Sequence, residues 1–192
     1  MNRNIDFKHH AETAWQLTLK HIFSLVLLTL VTATVAMLSL GLFAPAAMAG
    51  YTWAVMQMLR TGREPDIRDV FSQARLALPL LAASLAAALL VIVGYALLVV
   101  PAIAVSLALT VIGLYVIPLM IDRGIGIVAA VKESARMATA PPILDNLLVA
   151  LVVVGLWGIG GSVFIGWLFT QPLATIFLIS VYDEKTGKRA AP

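Results

Sequence analysis

His9, His10 and Glu12 lie close together near the start of the chain, and His21 follows. Histidines with a carboxylate form a zinc donor set, but a zinc helix sets its two histidines four apart so that both meet the metal from one face. Adjacent His9 and His10 point about 100° apart on a helix, so the spacing does not build that site, and interfacial histidines are expected. Ser162, in GGSVF, lacks the glycine two residues on that a nucleophile elbow requires. It reads as a turn serine. GIGG at 158–161 has no lysine behind it to meet a phosphate and also reads as a turn. Asp145, in PPILDNLL, suits the positive N-terminal end of a helix, with a gating or cation role as the alternative. FTQPL places Thr170, Gln171 and Pro172 inside an apolar run. An unpaired amide there would cost several kcal/mol, so Gln171 requires a partner. Pro172 removes a backbone donor and bends its helix. These three residues form the candidate intramembrane polar site, either lining a cavity or bonding a neighbouring helix. No catalytic, cofactor-binding or metal-binding residue is expected, and with no cysteine in the chain disulfides and thiolate sites are excluded.

The elements that must carry these residues follow from composition. Of 192 residues, 61% are apolar and only 12% charged, which is about half the charge of a soluble domain. Three stretches hold no charge at all: His21 to Leu59, Leu76 to Ile121 and Asn146 to Tyr182. One membrane-spanning helix needs about 20 residues, so each stretch is close to two spans. If each is a helical hairpin, all 13 lysines and arginines fall on one side of the membrane, in keeping with the positive-inside tendency. The expected fold is therefore all-α, a single membrane domain over 1–192. It has six transmembrane helices in three hairpins, at about 22–41, 43–60, 77–98, 101–121, 144–160 and 163–182. The turns fall near Leu40 to Phe43, Leu98 to Pro101 and Gly158 to Ser162. Both termini are cytoplasmic. The small residues of APAAMAG at 44–50 resemble a signal-peptide cleavage site, but the apolar stretch before them is longer than a signal core, and no cleavage is expected.

Each hairpin is preceded by a stretch that reads as an interfacial amphipathic helix. In Asp66 to Leu78 the apolar residues are Ile67, Val70, Phe71, Ala74 and Leu78. In Ile127 to Thr139 they are Ile127, Val131, Ala135 and Ala138. Asp6 to Lys20 carries Phe7, Ala11, Ala14, Trp15 and Thr18. Each hairpin ends where a glycine stands beside a basic residue: RTG at 60–62, DRG at 122–124 and KTG at 185–187. Glycine ends the helix, and the cation suits both the helix C-terminus and an anionic leaflet. Three pseudo-repeats result, 1–62, 63–124 and 125–187. The candidate lipid-headgroup contacts are Arg60, Arg63, Arg68, Arg75, Arg123 and Arg136. The expected partners are membrane lipids, with other membrane proteins or a second copy left open and no nucleic acid. Pairs such as Ala83 with Ala87 and Ser84 with Ala88 allow close helix approach.

DVFSQAR, VIPLMIDRGIGIVAAVKESAR and the ending GWLFTQPLATIFLISVYDEKTG together resemble a widespread bacterial family of uncharacterised multi-pass inner-membrane proteins. That family is akin to the membrane domain of some glycerophosphodiester phosphodiesterases. The resemblance implies six membrane helices in a bacterial inner membrane. It carries no reaction, because nothing similar to the soluble phosphodiesterase domain is present. The expected function is a non-enzymatic membrane protein that organises lipids or partner proteins through a basic cytoplasmic face. The alternative is a permease or transport component for a neutral or lipid-like substrate.

Overall fold

The computed structural model describes residues 5–97, 99–161 and 164–188. Regular structure in them is helical throughout, which lets apolar stretches satisfy their own backbone groups in hydrocarbon. Helix α1, Phe7–Lys20, is capped by Asp6, whose side chain accepts from the His9 N–H. One residue later the chain turns by 89° into α2, Ile22–Leu38. A tight turn with Leu40 at φ 51° and Gly41 at φ 85° reverses it into α3, Ala44–Thr61. There follow α4 (Ala77–Leu97), α5 (Val99–Gly113), α6 (Val116–Arg123), α7 (Ile127–Thr139), α8 (Ile143–Gly161) and α9 (Phe164–Thr186). Among the described residues, Ile67–Gly94, Val105–Arg123 and Ile143–Gly161 are long and apolar enough to cross a membrane, making 3 such stretches, or 4 if α1 with α2 is one bent span.

Gly62, Gly124 and Gly187 close α3, α6 and α9 in the left-handed region, at φ 69°, 63° and 72°. Only glycine adopts that conformation without strain. The expected 158–161 turn is instead helical, since α8 continues through Gly161, and Ser162 lies outside the described residues, as does Leu98 of the turn expected before Pro101. The stretch expected to form one helix over 101–121 is broken between α5 and α6. Pro118 has no N–H to offer Leu114, one turn back. Across the gap the buried Ser134 hydroxyl of α7 accepts from the Tyr115 N–H at 3.2 Å and donates to the Ile112 carbonyl.

Of the three expected interfacial helices one takes another form, and the other two bury only part of their expected stripes against the protein. Residues 66–78 do not form one α-helix. They make two 3₁₀ turns, Ile67–Phe71 and Ala74–Leu76, before α4 starts. The first turn is pressed against α3 so closely that a Cβ on Gly50 would lie 2.1 Å from the Val70 carbonyl oxygen. Packing against α3 thus overrides the helical periodicity, and of the expected stripe Val70 is buried while Ile67, Phe71 and Leu78 are exposed. On α7 the buried face is Ala130, Ser134 and Ala138. Val131 of the expected stripe points outward, because small side chains let α7 sit close to its neighbours. On α1 the buried residues are His10, Ala14 and Thr18, with Trp15 exposed.

Helix α9 is the centre of the bundle. From Gln171 to Asp183 each of its residues is buried or half-buried, packed by α1, α2, α3 and α8. At Gly160 of α8 a Cβ would overlap the Thr170 side chain of α9, so that crossing depends on glycine. Helix α4, in contrast, turns Leu78, Leu85, Leu89 and Ile92 outward.

Gly50→Ala should lower stability by about 1–3 kcal/mol, the usual cost of overpacking. Gly155→Ala, whose added Cβ meets nothing within 4 Å, should leave stability unchanged or raise it by about 0.5–1 kcal/mol. Denaturant unfolding of both variants in detergent, followed by tryptophan fluorescence, checks the contrast.

Candidate functional site

The last buried turns of α9, SVYDEK at 180–185, send polar groups toward α1, α3, α6 and α8. Ser180 and Glu184 stand one helical turn apart and so share a face. Between them sits the His10 ring of α1, 2% exposed, with Nδ1 2.7 Å from Ser180 Oγ and Nε2 2.5 Å from Glu184 Oε2. An ionised Glu184 only accepts, so Nε2 donates to it. In the neutral imidazole Nδ1 then accepts the Ser180 hydroxyl.

Asp183 and Tyr182 turn toward α3 and α6. Arg60 of α3 donates to Asp183 through Nη2 at 2.5 Å and through Nε at 3.2 Å, and to Asp122 of α6 through Nη1 at 2.5 Å. Asp122 also accepts from the Tyr182 hydroxyl at 3.0 Å and from Lys188 Nζ at 2.6 Å. Both carboxylates are only 4% exposed. Two cations face two carboxylates, so the cluster is neutral, and each aspartate is held by charged donors, as burial of a carboxylate requires.

Lys185 completes the set by donating to the Asn146 carbonyl oxygen of α8 and lying 5.6 Å from the Tyr115 ring centroid. Burial presses its ammonium below the ordinary lysine pKa, with Asp145 and Glu184 acting against that shift. The Asn146 amide donates to the Met137 and Ala140 carbonyls, each at 3.2 Å, which closes the end of α7. Asp145 lies in the first turn of α8, as expected, and also accepts from the Ile5 N–H at 3.1 Å.

Ser180, His10 and Glu184 are the residue types of a hydrolytic triad, yet Ser180 lies inside α9, whose own hydrogen bonds take the N–H groups an oxyanion hole would need. Geometrically the cluster is a clamp.

The arginines named as headgroup contacts separate into two groups. Arg60 is enclosed between Asp122 and Asp183 and is not free to meet a headgroup. Arg63 bonds Asp69 and lies 5.3 Å from the Trp53 ring. Arg136 and Arg123 both bond Glu133, at 2.6 and 3.1 Å, and Arg136 foremost holds its carboxyl below its ordinary pKa. Arg68 and Arg75 are exposed and form no ion pair among the described residues.

The Gln171 amide is buried and its Nε2 lies 3.6 Å from Met48 Sδ, a weak acceptor on α3. The backbone carbonyl of Gln171 accepts from the Thr175 hydroxyl at 3.0 Å. The Thr170 hydroxyl is buried without a hydrogen-bond partner among the described residues. Pro172 lies within α9. The nearby cavity touches Met48 and Thr175, and Gln171 is not among its lining residues. No protein-family model, curated protein or solved structure matches the chain.

His10 is the residue that sequence reasoning missed. A histidine flanked by His9 and Glu12 reads as interfacial, and only the approach of α9 from the far end of the chain buries it. One signal for the ion-pair cluster was present: Arg60 and Asp122 each stand two residues before a helix-ending glycine, with opposite charge.

Two outcomes follow. Arg60→Leu leaves two buried carboxylates short of a partner and should cost about 3–5 kcal/mol, with part of the loss recovered in Arg60→Leu combined with Asp122→Asn, measured by unfolding in detergent. His10→Phe should release α1 from α9, seen as faster limited proteolysis near Lys20 with the rest of the chain still protected.

Proposed function

We propose that this chain is a non-enzymatic integral protein of a bacterial inner membrane that organises lipids, or partner proteins beside them, through a basic cytoplasmic face. In this reading six helices cross as three hairpins with both termini in the cytoplasm, in line with the family the sequence resembles. One observation carries it: Arg68 and Arg75 are exposed and form no ion pair among the described residues, in the same segment as exposed Ile67 and Phe71. Cations beside apolar side chains suit the boundary between headgroups and acyl chains, and each basic residue near an anionic surface contributes about 1 kcal/mol. The other polar groups of that side bond mainly to one another, which supports a structural role for them. The permease alternative centred on Gln171 draws less support, since that amide is buried against Met48 and does not line the cavity that Met48 and Thr175 border.

The protein with Arg68→Gln and Arg75→Gln should retain about tenfold or more less phosphatidylglycerol relative to phosphatidylcholine when extracted from mixed vesicles and weighed by native mass spectrometry. Added salt should shrink the wild-type preference. An unchanged lipid ratio in the variant overturns this reading.

A further inference from the structure

The break between α5 and α6 faces a cavity of about 270 Å³, lined on that side by Gly113, Leu114, Ile117 and Pro118 and across from them by Trp157 and Thr175. Outside it runs a groove of about 470 Å³ between α5 and α8, along Leu107, Val111, Leu144, Leu148 and Leu151. Thr110 lines both spaces, which are therefore adjacent. The groove's walls belong to two of the stretches able to cross a membrane, within Val105–Arg123 and Ile143–Gly161, so its mouth opens on hydrocarbon. Interrupted helix at membrane depth is tolerated where it lines a cavity, and it marks binding sites in other membrane folds.

The lining decides the occupant. The Thr52, Thr110 and Thr175 hydroxyls donate to carbonyls of their own helices at 2.8, 2.8 and 3.0 Å. Water, which needs two to four polar partners, finds little to hold it. A partner helix, about 10–12 Å across, could lie along the groove but could not follow into 270 Å³ behind Thr110. A single hydrocarbon chain can. We propose that groove and cavity together bind one acyl chain of a membrane phospholipid, which enters sideways between α5 and α8 and ends beside Trp157. The groove alone lies within the roughly 300–1,000 Å³ usual for small-ligand sites. This site adds to the lipid-organising reading without depending on Arg68 or Arg75.

The full chain reconstituted in vesicles containing phosphatidylcholine with a photoreactive diazirine at the acyl terminus tests it, with adducts mapped by peptide mass spectrometry. Adducts are expected on Leu114 and Thr175, inside the bundle, as well as on the outward Leu85 and Leu89 of α4. In Gly113→Leu, where a Cβ meets nothing within 4 Å and the added side chain fills the cavity, the inner adducts should fall at least tenfold while those on α4 persist. Adducts confined to outward residues in the wild type, or inner adducts unchanged in Gly113→Leu, would overturn the proposal. The wild-type map decides by itself if that variant does not fold. Inner adducts that persist in the Arg68→Gln, Arg75→Gln protein separate this site from the basic patch.

Discussion

Burial of charge at the end of α9 is the constraint on which the arrangement rests. Ser180, Tyr182, Asp183, Glu184 and Lys185 occupy less than two helical turns, and consecutive positions of an α-helix face different directions. Their partners therefore come from several neighbours, with Ser180 and Glu184, one turn apart, sharing His10. Arg60 supplies one from α3, Asp122 from α6, His10 from α1 and Asn146 from α8. Removing any one leaves a polar group in a medium where its hydration cannot be replaced. The hub thus specifies which helices surround α9 and in what register, a task that apolar packing alone performs poorly among interchangeable leucines and valines.

The same constraint explains why a basic residue stands beside each helix-ending glycine. Gly62, Gly124 and Gly187 share one left-handed backbone conformation and each ends its helix there. Arg60 and Asp122, each two positions before its glycine, meet and neutralise one another. Cations in the final helical turn also favour the helix C-terminus. Among the described residues the arginines without an ion pair, Arg68 and Arg75, lie instead on the connecting 3₁₀ segment, which is held down by the glycine contact at α3 and exposes its apolar residues beside them.

Toward the membrane interior the constraint relaxes. The α5–α6 break is stitched by Ser134 on one side and open to an apolar cavity on the other. Of the polar groups there, the Gln171 amide meets the Met48 sulfur and the Thr52, Thr110 and Thr175 hydroxyls donate to carbonyls of their own helices. A polar hub thus stands at the end of α9, and apolar spaces lie along α5 and α8.

The sequence by itself determined the class and much of the element list. Three uncharged stretches require helices, the turn before Ala44 and the three glycine exits sit where the residue types place them, and Asp145 opens α8 as an acid at a helix start should. These are local matters of burial, backbone freedom and helix dipole, all of which are written into neighbouring residues. What only the tertiary structure decided is which groups are inside. Residues 66–78 have the period of an amphipathic helix, yet α3 presses them into 3₁₀ turns. The buried stripe of α7 is Ala130, Ser134 and Ala138 rather than the larger apolar residues beside them. Arg60 reads as a headgroup cation and is locked between two aspartates, while His10 reads as interfacial and is the best-enclosed histidine. In each case the deciding partner lies on another helix, often more than a hundred positions away. Pattern along the chain reports only the environment that adjacent residues share.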